Sequence, residues 1–235
     1  DIDVNVKQLA EDMTKAGNEY DSASNLINAT KLVIGQITEC EPHPDSDHLH
    51  LCKVNIGTEV LDIVCGAPNA RTGLKVIVAL DGAVLPDKTI KKGMIRGQES
   101  NGMLCSIAEL GLEHKFLKPE DSEGIAELGE DAEIGGDPIE YLQMDDGVID
   151  FELTANRGDL LSILGMAYEV GAIYDKKVKD VDLKHKESGE DINKTFKTEV
   201  KTANCSKLLV KKVENVKIEE SPIFIKNRLI ASGIR

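Results

Sequence analysis

Four short runs of β-branched and aliphatic residues, each closed by turn chemistry, constrain this chain more than anything else in it. They lie at residues 32–38, 49–56, 60–64 and 75–80, and Pro42, Gly57, Pro68-Asn69 and Gly73 stand between them. Val and Ile favour a pleated, half-buried backbone, while Gly, Pro and Asn supply the sharp reversals between strands. Pro86-Asp87, Gly93, Gly97 and Gly102 continue the pattern of turns. Strands this short and this closely spaced leave no room for crossover helices. They specify a small antiparallel β-barrel rather than a parallel sheet.

Helical signals occur on both sides of this block. Over residues 4–17, Val6, Leu9, Ala10 and Met13 recur at helical spacing and Gly17 supplies a stop. Residues 148–153 alternate like a strand. The Asn156-Arg157-Gly158-Asp159 turn then leads into a second helix, with Asp159 expected as its N-cap and Tyr174 near its end. Leu160, Ile163, Leu164, Ala167 and Val170 form its apolar face. A lone short helix cannot bury its own apolar stripe, so the two helices are expected to pack together, with the barrel inserted between them in sequence. The fold class expected is α+β and multidomain. Residues 1–38 and 148–180 form a split small helical domain, residues 39–147 a barrel, and residues 181–235 a linker and the start of a further domain. Residues 117–140 read as an acidic loop with one short strand at 124–128. Residues 199–218 alternate again through Leu208, Val210, Val213 and Val216. Ser221-Pro222 then has the chemistry of a helix start, with Phe224, Ile225, Leu229 and Ile230 on an apolar face and Gly233 as a stop.

Charge argues against a simple polyanion binder. The net charge is −14, and residues 39–149 alone hold 9 basic and 22 acidic groups. A phosphate backbone is repelled by such a field at long range. Lys88, Lys91, Lys92 and Arg96 are the one dense basic group in that acidic middle. They read either as a phosphate-contact ridge or as a solvated hairpin whose lysines guard a sheet edge. No Phe or Tyr lies between Tyr20 and Phe116, so RNA binding here would rest on backbone charge and shape, without aromatic stacking.

Other candidate chemistry is weaker. His43, Asp45, Asp47, His48 and His50 crowd together and could be metal ligands, as a metal-dependent hydrolase would need. A polar turn fixed by Pro42 and Pro44 explains the same residues, and no metal site is expected. Cys65 could open a nucleophile loop, but Arg71 is its only charged neighbour in sequence. A buried cysteine at the end of a strand is the better reading. The five cysteines are scattered and odd in number, which fits reduced thiols in a cytoplasmic protein better than a disulfide framework. No run approaches the roughly 20 apolar residues of a membrane span. There is no P-loop, dinucleotide fingerprint or triad pattern, so no catalytic residue is expected.

Several longer strings go beyond composition. HPDSDHLHLCKVNI at 43–56, IVCGAPNARTGLKVIVALDGAVLP at 63–86, IKKGMIRGQESNGMLCS at 90–106 and LTANRGDLLSILGMAYEV at 153–170 resemble the bacterial phenylalanine–tRNA ligase β subunit. The first three resemble its tRNA-binding OB-fold domain, including a G-x-x-S-x-G-M motif at 97–103. The last resembles the family's L-T-P-N-R-x-D-x-x-S-x-x-G-x-A-x-E-V helix, with Ala155 in place of the usual Pro. Lys is usual in the family where His48 stands. SPIFIKNRLIASGIR at 221–235 resembles the opening of the family's editing domain. The resemblance implies an OB barrel inserted into a split N-terminal domain. It implies tRNA contacts at Lys88, Lys91, Lys92, Arg96 and Ser100, and tRNA and the ligase α subunit as partners in an α2β2 assembly. ATP and Mg2+ serve the whole enzyme, whose aminoacylation residues lie on the α subunit, so this segment is expected to be non-catalytic by itself. The alternative is a stand-alone tRNA-binding or structural OB-fold protein. Such proteins share G-x-x-S-x-G-M but usually lack the N-R-x-D-x-x-S helix and the editing-type start.

Overall fold

The computed structural model describes residues 2–112, 114–180, 182–187, 189–219 and 221–234. Helix α1 (Val6–Lys15) is followed by strands β1 (Tyr20–Asn25), β2 (Leu32–Pro42), β3 (His50–Asn55), β4 (Val60–Cys65) and β5 (Lys75–Leu80). Short strands β6 (Val84–Leu85), β7 (Lys88–Thr89), β8 (Gly93–Ile95), β9 (Gln98–Ser100) and β10 (Gly102–Cys105) come next. Two short helices, α2 (Pro119–Glu123) and α3 (Pro138–Tyr141), precede β11 (Gly147–Phe151), α4 (Ile163–Ile173) and α5 (Ile223–Ala231).

Five strands form one antiparallel sheet in the order β10-β5-β2-β3-β4. A register irregularity in β2 between Ile37 and Glu39 bends this long strand. The sheet curls until its two edge strands approach each other. The Asn101 N–H donates to the Asp62 carbonyl at 2.8 Å, and the Val64 N–H donates to the Ser100 hydroxyl at 3.1 Å. The result is a curled half-barrel of mixed α/β surroundings. Alternate residues of β5 enter two cores. Val76 and Val78 join Ile37, Val54, Ile63 and Leu104 inside the curl, while Ile77 and Ala79 join Ala83, Leu85, Cys105 and Leu110 on the opposite face. Burial on both faces accounts for the unbroken apolar run Val76–Ala79, since a strand with one solvated face would alternate.

The flanking segments meet mainly through a strand pair, where packing of the two helices was expected. Strand β1, a polar stretch with no apolar alternation, pairs antiparallel with β11. Helix α1 lays its buried Ala10 and Met13 chiefly on that pair, so the strands, not α4, cover most of its apolar stripe. Helix α4 touches α1 lightly through polar groups: the Tyr174 hydroxyl donates to Asp12 at 2.9 Å. The apolar face expected for this helix is only partly covered: Leu160 is buried and Ala167 and Val170 are half-buried, but Ile163 is 86% and Leu164 52% exposed.

Other expectations also change. Asp159 is not the N-cap of α4. It sits in a single 3-10 turn, and Ser162 caps the helix by accepting the Gly165 N–H at 3.0 Å. Residues 124–128 form no strand, only one isolated bridge between Lys75 and Leu128. Residues 199–218 have the alternation of a strand, but among the described residues none pairs with them, and they lie exposed without regular structure. Ser221 does not cap α5; Pro222 occupies the N-cap without a side-chain bond. The helix seats Ile230 in the second core. Asn227 anchors it by donating to the carbonyls of Leu142 and Gln143 at 2.6 and 2.8 Å. No helix among the described residues is long and apolar enough to cross a membrane.

Candidate nucleic-acid interface

The basic group expected from sequence divides into unlike parts. Lys88, on β7, donates to Glu109 at 2.7 Å, so its charge is opposed locally by a carboxylate. Lys91 and Lys92 lie exposed in the connection to β8, and among the described residues neither side chain is in an ion pair. The backbone there is fixed, because the Lys92 N–H donates to Asp81 at 2.9 Å. Arg96 occupies the tip of the β8–β9 hairpin.

That tip is a two-residue turn. Ile95 pairs with Gln98, while Arg96 and Gly97 have φ of 45° and 79°. Two successive positive φ values are what a type I′ turn requires, since it matches the right-handed twist of the strands it joins. Glycine enters this region freely, but arginine does not. Arg96 is held there by donating from Nη1 to the Asp45 carbonyl at 3.2 Å, which ties the hairpin to the HPDSDHL turn.

Ser100 lies beneath this hairpin, not on its surface. It is buried, and its Oγ accepts the Val64 N–H and donates to the Gly102 carbonyl at 3.1 Å. Its hydroxyl is therefore spent inside the protein. A Cβ at Gly102 would press on the Ala79 carbonyl. The S-x-G of the motif thus closes the barrel seam and sets the base of the hairpin.

The histidine-rich turn is built as a turn. His43 is buried and its Nδ1 accepts the Asp45 N–H at 3.0 Å, and the His43 N–H donates to the Leu49 carbonyl at 2.9 Å. Among the described residues, no three His, Cys, Asp or Glu side chains gather as a metal ion would require. All five cysteines are free thiols. Burial, the largest cause, pushes Cys65 up and Cys105 up to about 12, so neither is an activated nucleophile.

Two further motifs prove to be structural latches. Asn69 of CGAPN both donates to and accepts from the backbone of Ile125, each at 2.9 Å. Beside it, Arg71 makes two bonds of 2.7 Å to Glu127, whose carboxyl is held down at about 2 by that guanidinium. In the N-R-x-D-x-x-S-x-x-G-x-A-x-E helix, Arg157 bonds Asp159 at 3.2 and 3.0 Å and Glu169 at 3.2 and 2.8 Å. Asn18 joins the same group, donating to Glu169 at 2.8 Å. Gly165 is required because a side chain there would run into the Asp159 carbonyl. Sequence reading held Glu169 only as a letter of the motif, with no contact assigned to it, and missed Asn18. The i, i+12 and 151-residue separations of their contacts leave no local periodic signal.

Comparison with known proteins decides between the two readings of the motifs. Residues 32–137 match the family model described as a putative tRNA binding domain. The phenylalanine–tRNA ligase β subunit of Geobacillus kaustophilus is 44% identical over 99% of this chain and 29% of its own length. That of Streptococcus pneumoniae R6 is 42% identical over 100% of this chain and 30% of its own length. Relatives 42–44% identical over the whole of this chain are thus named phenylalanine–tRNA ligase β subunits. The chain carries a match to a tRNA-binding domain and spans about 30% of the length of these curated relatives. The β-subunit of Halalkalibacterium halodurans gives the same picture, at 43% identity over 100% of this chain and 30% of its own length.

Proposed function

We propose that this chain supplies tRNA binding and assembly to an ATP-dependent enzyme that charges tRNA with phenylalanine. Identity above 40% along the whole of this chain to β subunits of that ligase carries the reading. In it, the half-barrel is an OB-fold domain inserted between the two halves of an N-terminal domain, 1–38 and 148–180, and residues 181–235 open an editing-type domain. The α subunit completes the enzyme and holds the ATP and Mg2+ chemistry. The site of action is the cytoplasm.

Within this segment, the RNA contacts are Lys91, Lys92 and Arg96, with Lys88 contributing less because Glu109 already engages it. Ser100 acts indirectly by fixing the hairpin that displays them. Each phosphate neutralised contributes a slope of roughly −0.7 to −0.9 in log K against log salt. Three or four contacts therefore give a slope of about −3, which is small beside dedicated nucleic-acid binders. The test is a filter-binding titration with a phenylalanine tRNA transcript at several salt concentrations. Lys91→Glu with Lys92→Glu should abolish binding, and Lys176→Glu with Lys177→Glu should change it little. Equal loss in both variants would remove the hairpin from the interface.

A further inference from the structure

Cys40 and Cys52 face each other across the β2–β3 ladder. The His43 N–H donates to the Leu49 carbonyl at 2.9 Å, so residues 43 and 49 are a hydrogen-bonded pair. Bonded and unbonded pairs alternate along an antiparallel ladder. Pro42 with His50 is then a non-hydrogen-bonded pair, which suits a residue that has no N–H, and so is Cys40 with Cys52. The α-carbons of such a pair lie roughly 4.5 Å apart, with the side chains at their closest. A disulfide accepts roughly 4.4–6.8 Å between α-carbons. The two Sγ atoms are already in contact, at 3.7 Å. Their settings differ. Cys52 is buried in the core of the curl at 2% exposure, and Cys40 packs on that core from a half-buried position. The other buried thiols are placed elsewhere: Cys65 lies opposite His50 with its sulfur accepting the Ala67 N–H at 3.4 Å, and Cys105 belongs to the second core.

We propose that Cys40 and Cys52 are a redox-modification site, which a two-electron oxidant of the peroxide class converts to a cross-strand disulfide and a dithiol restores. The site stands whether or not the chain binds tRNA. The Cys40 sulfur attacks the peroxide O–O bond and becomes a sulfenic acid, while the second oxygen leaves with the thiol proton as water. The Cys52 sulfur then displaces the sulfenic oxygen, which takes the Cys52 proton and leaves as a second water. Two thiols and one peroxide thus give one disulfide and two waters. Cys52 acts second because it is buried away from the oxidant, and burial also pushes its thiol up and keeps it protonated. Closing the sulfurs from 3.7 Å to a bond of roughly 2.05 Å asks for side-chain rotation alone. A narrow pair is at the short end of the spacing that a disulfide accepts, so the bridge is strained and readily reduced, as a reversible mark requires. The bridge lies two residue pairs from the mouth of the HPDSDHL turn. That turn presents the Asp45 carbonyl on which Arg96 rests, so oxidation clamps the support of the β8–β9 hairpin.

The test uses the full 235-residue chain with Cys205→Ser, so that the exposed thiol does not compete. The folded protein is treated with hydrogen peroxide, denatured, alkylated, and digested without reductant for mass spectrometry. Alkylated thiols should fall from four to two, leaving Cys65 and Cys105. One pair of peptides should be joined through Cys40 and Cys52 with the loss of two hydrogens, and dithiothreitol should restore both thiols. With Cys52→Ala added, Cys40 has no resolving partner and its sulfenic acid should be trapped by dimedone. With Cys40→Ala added, Cys52 should remain a thiol. The bridged protein should unfold at a higher urea midpoint than its reduced form, because the closed loop limits the unfolded chain. Four alkylated thiols after peroxide overturn the site, as does a bridge to Cys65 or Cys105. A Cys52 that dimedone labels in the Cys40→Ala chain overturns the order of the two thiols. A bridged form that unfolds at or below the reduced midpoint overturns the clamp. The chain with both thiols in place gives the count and the bridge, so misfolding of a variant cannot hide the result.

Discussion

Asn69 serves Ile125 as a strand neighbour would. Its Oδ1 accepts the Ile125 N–H and its Nδ2 donates to the Ile125 carbonyl, each at 2.9 Å, across 56 residues of chain. The side-chain amide reproduces the donor–acceptor pair of a β-ladder at a residue that lies in no strand itself. Gly124 lies so close to this amide that a Cβ there would collide with it.

Asn69→Ala should therefore leave two backbone groups of Ile125 unpaired. The cost is about 1–3 kcal/mol, read as a lower urea midpoint at constant slope. Asn69→Asp should be worse than a simple loss of the donor. It keeps the acceptor but sets a second carboxylate against Glu127, which Asn69 Nδ2 now contacts at 3.0 Å. A midpoint for Asn69→Ala equal to the parent's would show that water serves Ile125 equally well.

The neighbouring Arg71–Glu127 pair carries a pH signature. Glu127 is depressed to about 2 by the Arg71 guanidinium. Its contribution is present above the ordinary carboxylate range and disappears as pH falls from about 4.5 through about 2. Both side chains are more than a third exposed, so solvent screening limits the pair to about 1 kcal/mol or less. The stability difference between the parent and Arg71→Ala should thus be small near neutrality and shrink towards zero near pH 2, and added salt should reduce it. Urea unfolding of both proteins at pH 6, 4 and 2.5 checks this. A difference that grows on acidification would contradict the assigned sign.

The half-barrel was legible because its strands carry their own evidence. The β-branched runs at 32–38, 49–56, 60–64 and 75–80 match β2 to β5 to within a few residues. Strand β1 was invisible for the opposite reason. Tyr20–Asn25 is polar throughout, and its backbone is a strand only because β11 lies beside it. The reverse error occurred at 199–218, where alternation is present and no partner strand exists among the described residues. Pattern reports which side of a strand would be buried, and pairing decides whether there is a strand at all. Of the proposed RNA contacts, Lys91, Lys92 and Arg96 are exposed on and beside the β8–β9 hairpin. Ser100 was read as a surface hydroxyl because a motif fixes residue type and not depth.

The α4 start makes a graded prediction. Ser162→Ala removes the cap on Gly165 N–H and should cost about 1 kcal/mol. Gly165→Ala should cost more, although alanine is the better helix former. The new methyl would meet the Asp159 carbonyl and push apart the turn that aims Asp159 and Arg157. Thermal melts of the two variants give the order directly. Gly165→Ala at or above the parental midpoint would show that the turn can yield at no cost.

Lys88 tests whether an ion pair already made withholds a cation from RNA. Its ammonium donates to Glu109 at 2.7 Å, and Glu109 in turn accepts the Ser106 N–H at 2.9 Å, so the carboxylate is held from two sides. A phosphate approaching Lys88 must compete with a carboxylate at contact distance. Binding there releases less counterion than at a bare lysine, because Glu109 has already taken that place. Lys88→Ala should therefore change the salt slope for tRNA by clearly less than the roughly 0.7–0.9 of one full phosphate contact, whereas Lys92→Ala should approach that value. Filter binding of a tRNA transcript across a salt series, with both single variants measured beside the parent, gives the two slopes. Equal changes in slope would mean that Lys88 leaves Glu109 when RNA binds, and that the pair in the free protein does not restrain it.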